Sequence, residues 1–221
     1  MAAVVLTVIT IHLQVLIGTT TNIIPFVPVI DGDFVPDHPW TLIKNHQFKQ
    51  CNILLGSNLD DGSLISARAY PGQIARRFPF SDYAFYRETL DNFIYTYHND
   101  LILDSIDEHY VDWKIADDPD SNYFYTYMEV ITDEAFACPV DSTARAYVAS
   151  GNTVYMYQLT HLPSKSVWPD IPSWKGVAHA EDMQFVFGYH FIPDEEHDMT
   201  SEEQDMSIQT MKYWTNFAKT G

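Results

Sequence analysis

Apolar residues along this chain fall into three spacings, and each predicts a different element. Asn52–Ser57 (Asn-Ile-Leu-Leu-Gly-Ser) is a short unbroken apolar run, the pattern of a parallel strand buried on both faces. Thr153–Leu159 alternates and is rich in β-formers, which predicts a second strand. The final segment carries the helical spacing. Ser201 with Gln204 predicts a capping box, Ile208, Met211, Thr215 and Ala218 share one stripe, and Lys219 and Gly221 close the helix. Cys138–Tyr147 also predicts a helix, with Pro139 in its first turn and Val140, Ala144 and Tyr147 on one side. Residues 71–120 read as helices joined by polar loops. Pro163, Pro169 and Pro172 make a long irregular loop that ends at His179. Asp31-Gly32-Asp33 and Asp60-Asp61-Gly62 read as turns, the second at the C-terminal end of the first strand, where functional groups collect in open α/β sheets. Strand, helices, strand, loop, helix is an α/β order. No linker composition divides it, so one domain, or part of one, is expected.

Composition narrows the picture. The 221 residues are 46% hydrophobic and 14% aromatic, enough for a sizeable core. A formal charge of −18 argues against nucleic acid and anionic membranes as partners, because phosphate attraction needs clustered Lys and Arg. The acids serve either as a solvated surface or as a field that draws cationic molecules inward. Two cysteines, Cys51 and Cys138, allow one disulfide, and neither has metal-ligand neighbours. Met1–Ile17 is apolar, yet no Lys or Arg precedes it, and Thr7, Thr10, His12 and Gln14 interrupt it. A signal segment or anchor wants a basic start and a cleaner apolar centre. A buried strand and a start joined to the domain from elsewhere stand beside that reading. No Asn-x-Ser/Thr sequon occurs.

The candidate chemistry centres on His179. A histidine can take a proton from a nucleophile when a carboxylate holds its ring in one tautomer. Asp61 follows a predicted strand and lies upstream of His179, in the acid-then-histidine order of α/β-hydrolases.

The blocks around these two residues resemble the cholinesterase and type-B carboxylesterase family of α/β-hydrolases. They are Phe26-Val27-Pro28-Val29-Ile30-Asp31-Gly32, Leu54-Leu55-Gly56-Ser57-Asn58-Leu59-Asp60-Asp61-Gly62-Ser63 and Phe136-Ala137-Cys138-Pro139. Val167-Trp168-Pro169, Gly176-Val177-Ala178-His179-Ala180-Glu181-Asp182 with Phe185-Val186-Phe187-Gly188, and Tyr213–Gly221 follow in the same order. The resemblance covers nearly everything after Asn22. It implies the C-terminal part of an α/β-hydrolase fold, a mostly parallel sheet with flanking helices, incomplete, with residues 1–21 an apolar segment and 22–221 a partial domain. By the same resemblance His179 takes the place of the triad histidine and Asp61 that of the triad acid, here Asp where the family commonly has Glu. Asp182 matches an acidic position that supports the histidine loop; its alternative is a surface carboxylate. Cys138 resembles a cysteine whose partner lies beyond the last helix, so a Cys51–Cys138 bond is allowed but not implied.

The rest of the machinery is not in this sequence. The family nucleophile sits in a G-x-S-x-G elbow and its oxyanion donors in a Gly-rich loop, and neither motif occurs here. The chain alone is therefore expected to be inactive, with an ester hydrolase as its full-length form and a small-molecule ester as that form's substrate. The alternative is a non-catalytic, adhesion-type relative that binds partner proteins. Leu64 and Ile65 stand where cholinesterases often carry an aromatic residue, and the acyl-pocket aromatics would fall near Asn22 and Ile24. These positions favour a broader carboxylesterase. No cofactor and no metal are expected, although Asp118, Asp120, Asn122 and Glu129 hold positions 1, 3, 5 and 12 of an EF-hand-like loop, with Tyr123 where Gly is needed. An uncovered sheet edge is expected to promote self-association, and the resemblance implies an extracellular or cell-surface location.

Overall fold

The structure is a computed structural model that describes residues 28–69, 79–93, 99–116, 118–170, 172–193 and 198–221. The apolar start, Met1–Thr21, and the positions Asn22 and Ile24 lie outside the described residues. Helix α1 (Pro39–Lys44) precedes strand β1 (Ile53–Asn58), and a turn leads into α2 (Ser63–Ala69). Helices α3 (Tyr83–Phe93), α4 (Asp100–Tyr110) and α5 (Phe124–Thr132) follow. A π-helical stretch (Asp133–Ala137) joins α5 to α6 (Cys138–Ala149), and strand β2 (Val154–Leu159) comes next. Short 3-10 turns at Ser173–Lys175 and Tyr189–Phe191 flank α7 (Met183–Val186), and α8 (Ser201–Thr220) is the longest helix described.

The two strands pair in parallel, from Ile53 opposite Val154 to Asn58 opposite Leu159. Parallel neighbours need a long crossover, and the helical block α2–α6 is that crossover. The fold is a mixed helix and small parallel sheet arrangement, as part of an α/β-hydrolase requires. The first strand begins one residue later than predicted and includes Asn58. Asn52 stays outside because its Oδ1 accepts the Thr153 N–H at 3.0 Å, a side-chain bond that closes the start of the ladder.

Most of the apolar core lies among the helices. Tyr86 and Leu90 of α3, Leu103 of α4, and Phe124, Tyr127, Val130 and Ile131 of α5 form it, with Trp174 packed on their side. Each buried side chain of this size is worth about 2–3 kcal/mol over leaving it exposed. Between α3 and α4 the core holds a buried charge: Asp107 accepts from Arg87 at 2.6 Å and from the Tyr83 hydroxyl at 2.5 Å. Arg87 also reaches Asp104 at 3.1 Å.

Pro139 has no N–H to give the preceding turn, and the backbone widens into the π-helical stretch just ahead of it. Helix α6 keeps the predicted inner face, with Val140, Ala144 and Tyr147 buried. The stretch with EF-hand-like spacing, where no metal is expected, forms a structural corner. The Asn122 side chain accepts from Ser81 and Phe124 N–H groups and donates to the Pro79 carbonyl, and no metal-holding cluster occurs among the described residues.

Helix α8 corrects two details of its prediction. Its N-cap is Thr200, in extended geometry, and the capping box pairs Thr200 with Glu203 in both directions rather than Ser201 with Gln204. Its inner stripe is Glu203, Ser207, Met211, Trp214 and Phe217, whereas Ile208, Thr215 and Ala218 are exposed. The aromatic anchors decide the rotation: Trp214 lies edge-on to Tyr157 with centroids 4.9 Å apart, and Phe217 to Tyr155 at 5.8 Å. Tyr155 and Tyr157 share one face of β2 because strand side chains alternate, and α8 meets that face through these two ring contacts.

Candidate active site

The turn after β1 carries the acid. Asp61 is 4% exposed, and its Oδ2 accepts the Asn58 N–H at 2.5 Å, which fixes the carboxylate against the strand end. Gly62 follows because no side chain fits: a Cβ there would lie 2.5 Å from the Thr132 nitrogen. The Gly62 N–H donates to Thr132 Oγ1 at 3.0 Å, which locks the turn onto the end of α5.

The loop after β2 returns to the same place. His179 Nδ1 lies 3.0 Å from Asp61 Oδ1 across 118 residues of sequence. With its proton on Nδ1 directed at the carboxylate, the ring presents Nε2 as the basic nitrogen. Nε2 makes no hydrogen bond to any described residue, and the side chain is 39% exposed. Phe136, in the π-helical stretch and packed against the core, lies beside the imidazole with centroids 5.0 Å apart. Trp168 Nε1 donates to the His179 carbonyl at 2.6 Å and fastens the loop from its other side.

Two further carboxylates flank the pair. Asp182 accepts from the Tyr157 hydroxyl at 2.9 Å and from Asn58 Nδ2 at 3.5 Å. Asp60 Oδ2 accepts the Val177 N–H at 2.8 Å. The Glu181 side chain is buried: it accepts from the Ser166 hydroxyl, from the Val167 N–H at 3.2 Å and from Gln184 at 2.8 Å. Ala180, next to His179, has a left-handed backbone (φ 70°), unusual for a residue with a Cβ.

These surroundings set the charges. Burial pulls the His179 imidazolium down, but the Asp61 hydrogen bond and the Asp61 and Asp182 charges outweigh it, so its pKa is raised. Burial pushes the Asp61 acid up, against the pull of His179 and the Asn58 N–H. Burial and the Asp182 carboxylate keep the Tyr157 phenol protonated, so it remains a donor.

Asp61 and His179 were legible in the sequence, and the structure brings them together. Asp182 stands beside them, half-buried and hydrogen-bonded. The partners Asn58, Tyr157, Phe136 and Trp168 carried no role in the sequence reading. Asn58 ends a strand, and an Asn at a strand end just before an acidic turn is the signal that could have found it.

The profile of the carboxylesterase family matches residues 6–221. The chain belongs to the carboxylesterase family. Among curated relatives, an acetylcholinesterase of Bungarus fasciatus is 33% identical over 197 residues, which is 89% of this chain and 31% of the relative. The carboxylesterase-family chain thus spans about a third of the length of that relative. No helix among the described residues is long and apolar enough to cross a membrane.

Proposed function

We propose that this chain supplies the acid and the base of a Ser–acid–His centre in a carboxylic ester hydrolase. The observation that carries the reading is the His179 ring, bonded through Nδ1 to buried Asp61 with Nε2 open, in a member of this family. In the full-length form His179 Nε2 takes the proton of a serine hydroxyl as the oxygen attacks the ester carbonyl. It then gives that proton to the departing alcohol, and a water repeats the cycle to release the acid. Asp61 holds the imidazole in the correct tautomer and stabilises the imidazolium. Asp182 supports the loop through Asn58 and Tyr157.

The nucleophile and the oxyanion donors belong to sequence outside these 221 residues, since no G-x-S-x-G motif occurs here. By its name the snake relative acts on acetylcholine. Leu64 and Ile65 after the acid turn, and Asn22 and Ile24 further upstream, offer no aromatic face to a quaternary ammonium. That favours a carboxylesterase of wider scope, working at the cell surface or outside the cell as its relatives suggest.

A fluorophosphonate probe tests the reading. Native proteins from the source are labelled, and labelled species are digested and searched for peptides of residues 28–221. A labelled species heavier than 25.4 kDa that contains these peptides is expected, while the isolated 221-residue chain takes no label. A native species that carries the peptides and refuses the probe would sink the hydrolase reading in favour of a non-catalytic binding relative.

A further inference from the structure

Three consecutive residues of the histidine loop are held by one four-residue segment of the acid turn. Val177 is held at both its backbone groups: its N–H donates to Asp60 Oδ2 at 2.8 Å, and its carbonyl accepts the Asp60 N–H at 3.0 Å. Ala178 offers its carbonyl to Asn58 Nδ2 at 2.7 Å. His179 follows with its ring on Asp61. The side chain of Asn58 is buried, and its backbone N–H simultaneously fixes Asp61. One residue therefore ties the acid to the chain that bears the base. Gly176 completes the fit: it has φ 59°, and a Cβ there would lie 2.1 Å from Asp60 Oδ2. Only glycine lets the carboxylate sit over the loop.

We propose that Asn58 and Asp60 are positioning residues for His179, a clamp that fixes the imidazole against Asp61 before any substrate arrives. The proposal rests on the reading of Asp61 and His179 as acid and base. The division of labour follows from what each atom can do. Asp61 gives one oxygen to the ring and one to the Asn58 N–H. Asp60 gives Oδ2 to the loop backbone at Val177. An imidazole on an unanchored loop would spend its time over many rotamers and distances, and a misplacement of 1 Å costs a catalytic group about a hundredfold.

The test uses the 221-residue chain, with ring NMR of His179 and amide exchange at Val177. The wild-type imidazole should titrate above the ordinary 6.5 and show a low-field Nδ1 proton. In D60A the Val177 amide should exchange at least tenfold faster, the loss expected for a hydrogen bond to a charged acceptor. The low-field proton should broaden away and the His179 pKa should fall. D60N removes the same charge but keeps an oxygen for Val177, so it should rescue both the amide protection and the low-field proton. N58A changes no charge and should lose the low-field proton as well. Equal behaviour of D60A and D60N, or an unchanged low-field proton in both D60A and N58A, would overturn the clamp. Should D60A fail to fold, N58S in place of N58A still reads the Ala178 tie directly. The underlying pair is tested separately by D61N. If that variant leaves the His179 titration where it was, the acid–base reading fails, whatever the clamp variants do.

Discussion

At the scale of single residues, the His179 environment has a testable sign. Its folded pKa lies above 6.5, so the pair's stabilisation is complete below 6.5 and is lost as pH rises through the folded value. The melting temperature of wild type minus H179Q, followed from pH 5 to 9, should shrink across that window. In a full-length esterase the same shift moves the acid limb of kcat/KM above 6.5, because Nε2 accepts a proton only when the ring is neutral. Two backbone positions nearby should respond in opposite directions. Ala180 pays for a left-handed conformation, so A180G should raise stability by a few tenths to about 1 kcal/mol in thermal unfolding. Gly176 to Ala should lower it by about 2 kcal/mol or more, since the added Cβ must displace Asp60.

Elements are joined by buried charges as much as by apolar contact. Glu203 reaches from the first turn of α8 to Ser164, to His161 at 2.9 Å and to the Thr200 N–H at 3.0 Å. Burial would raise its pKa, but these donors win and hold it at about 2. A depressed carboxylate stabilises above its unfolded value near 4.5 and loses that stabilisation as pH falls toward 2. The full effect is about 3 kcal/mol. E203Q should flatten the acid limb of the pH–stability curve over that range and free the start of α8, seen as faster amide exchange in its first turn. Between α3 and α4, D107A leaves Arg87 with only the exposed Asp104 and the Tyr83 hydroxyl without its acceptor, and should cost about 2 kcal/mol in denaturant unfolding. Helix α8 also shows where periodicity misleads. Its sequence offers two stripes one position apart, and the aromatic anchors Trp214 and Phe217 pick between them by edge-on contact with Tyr157 and Tyr155 of β2.

The molecule as a whole carries −18 charges and a sheet of two described strands. Self-repulsion at that charge should relax with salt, so the melting temperature should rise between 10 and 300 mM sodium chloride, roughly the range in which the Debye length falls below 10 Å. Tyr155 and Met156 of β2 are about half exposed, and the neighbouring loops show Leu59, Leu162 and Phe187. Such apolar surface beside strand edges favours association between copies. Sedimentation at rising concentration should show species above 25.4 kDa, and a monomer at every concentration would refute the expectation.

The sequence by itself determined the α/β order, the acid turn, the histidine loop and the family, because each is written locally: apolar runs, turn residues and ordered motifs need no distant partner. It also shows that no G-x-S-x-G elbow occurs within these 221 residues, since that motif is a contiguous string. Only the tertiary structure decided the rest. Asn58 came to join Asp61 to the His179 loop because a parallel pairing set its side chain beside Ala178, a contact made across 120 residues. The rotation of α8, the use of Asn122 as a corner, and the placing of Phe136 against His179 arose in the same way. Each depends on which of several equally good local patterns finds a partner in space, and that choice is made by packing and hydrogen-bond satisfaction between segments far apart in the chain.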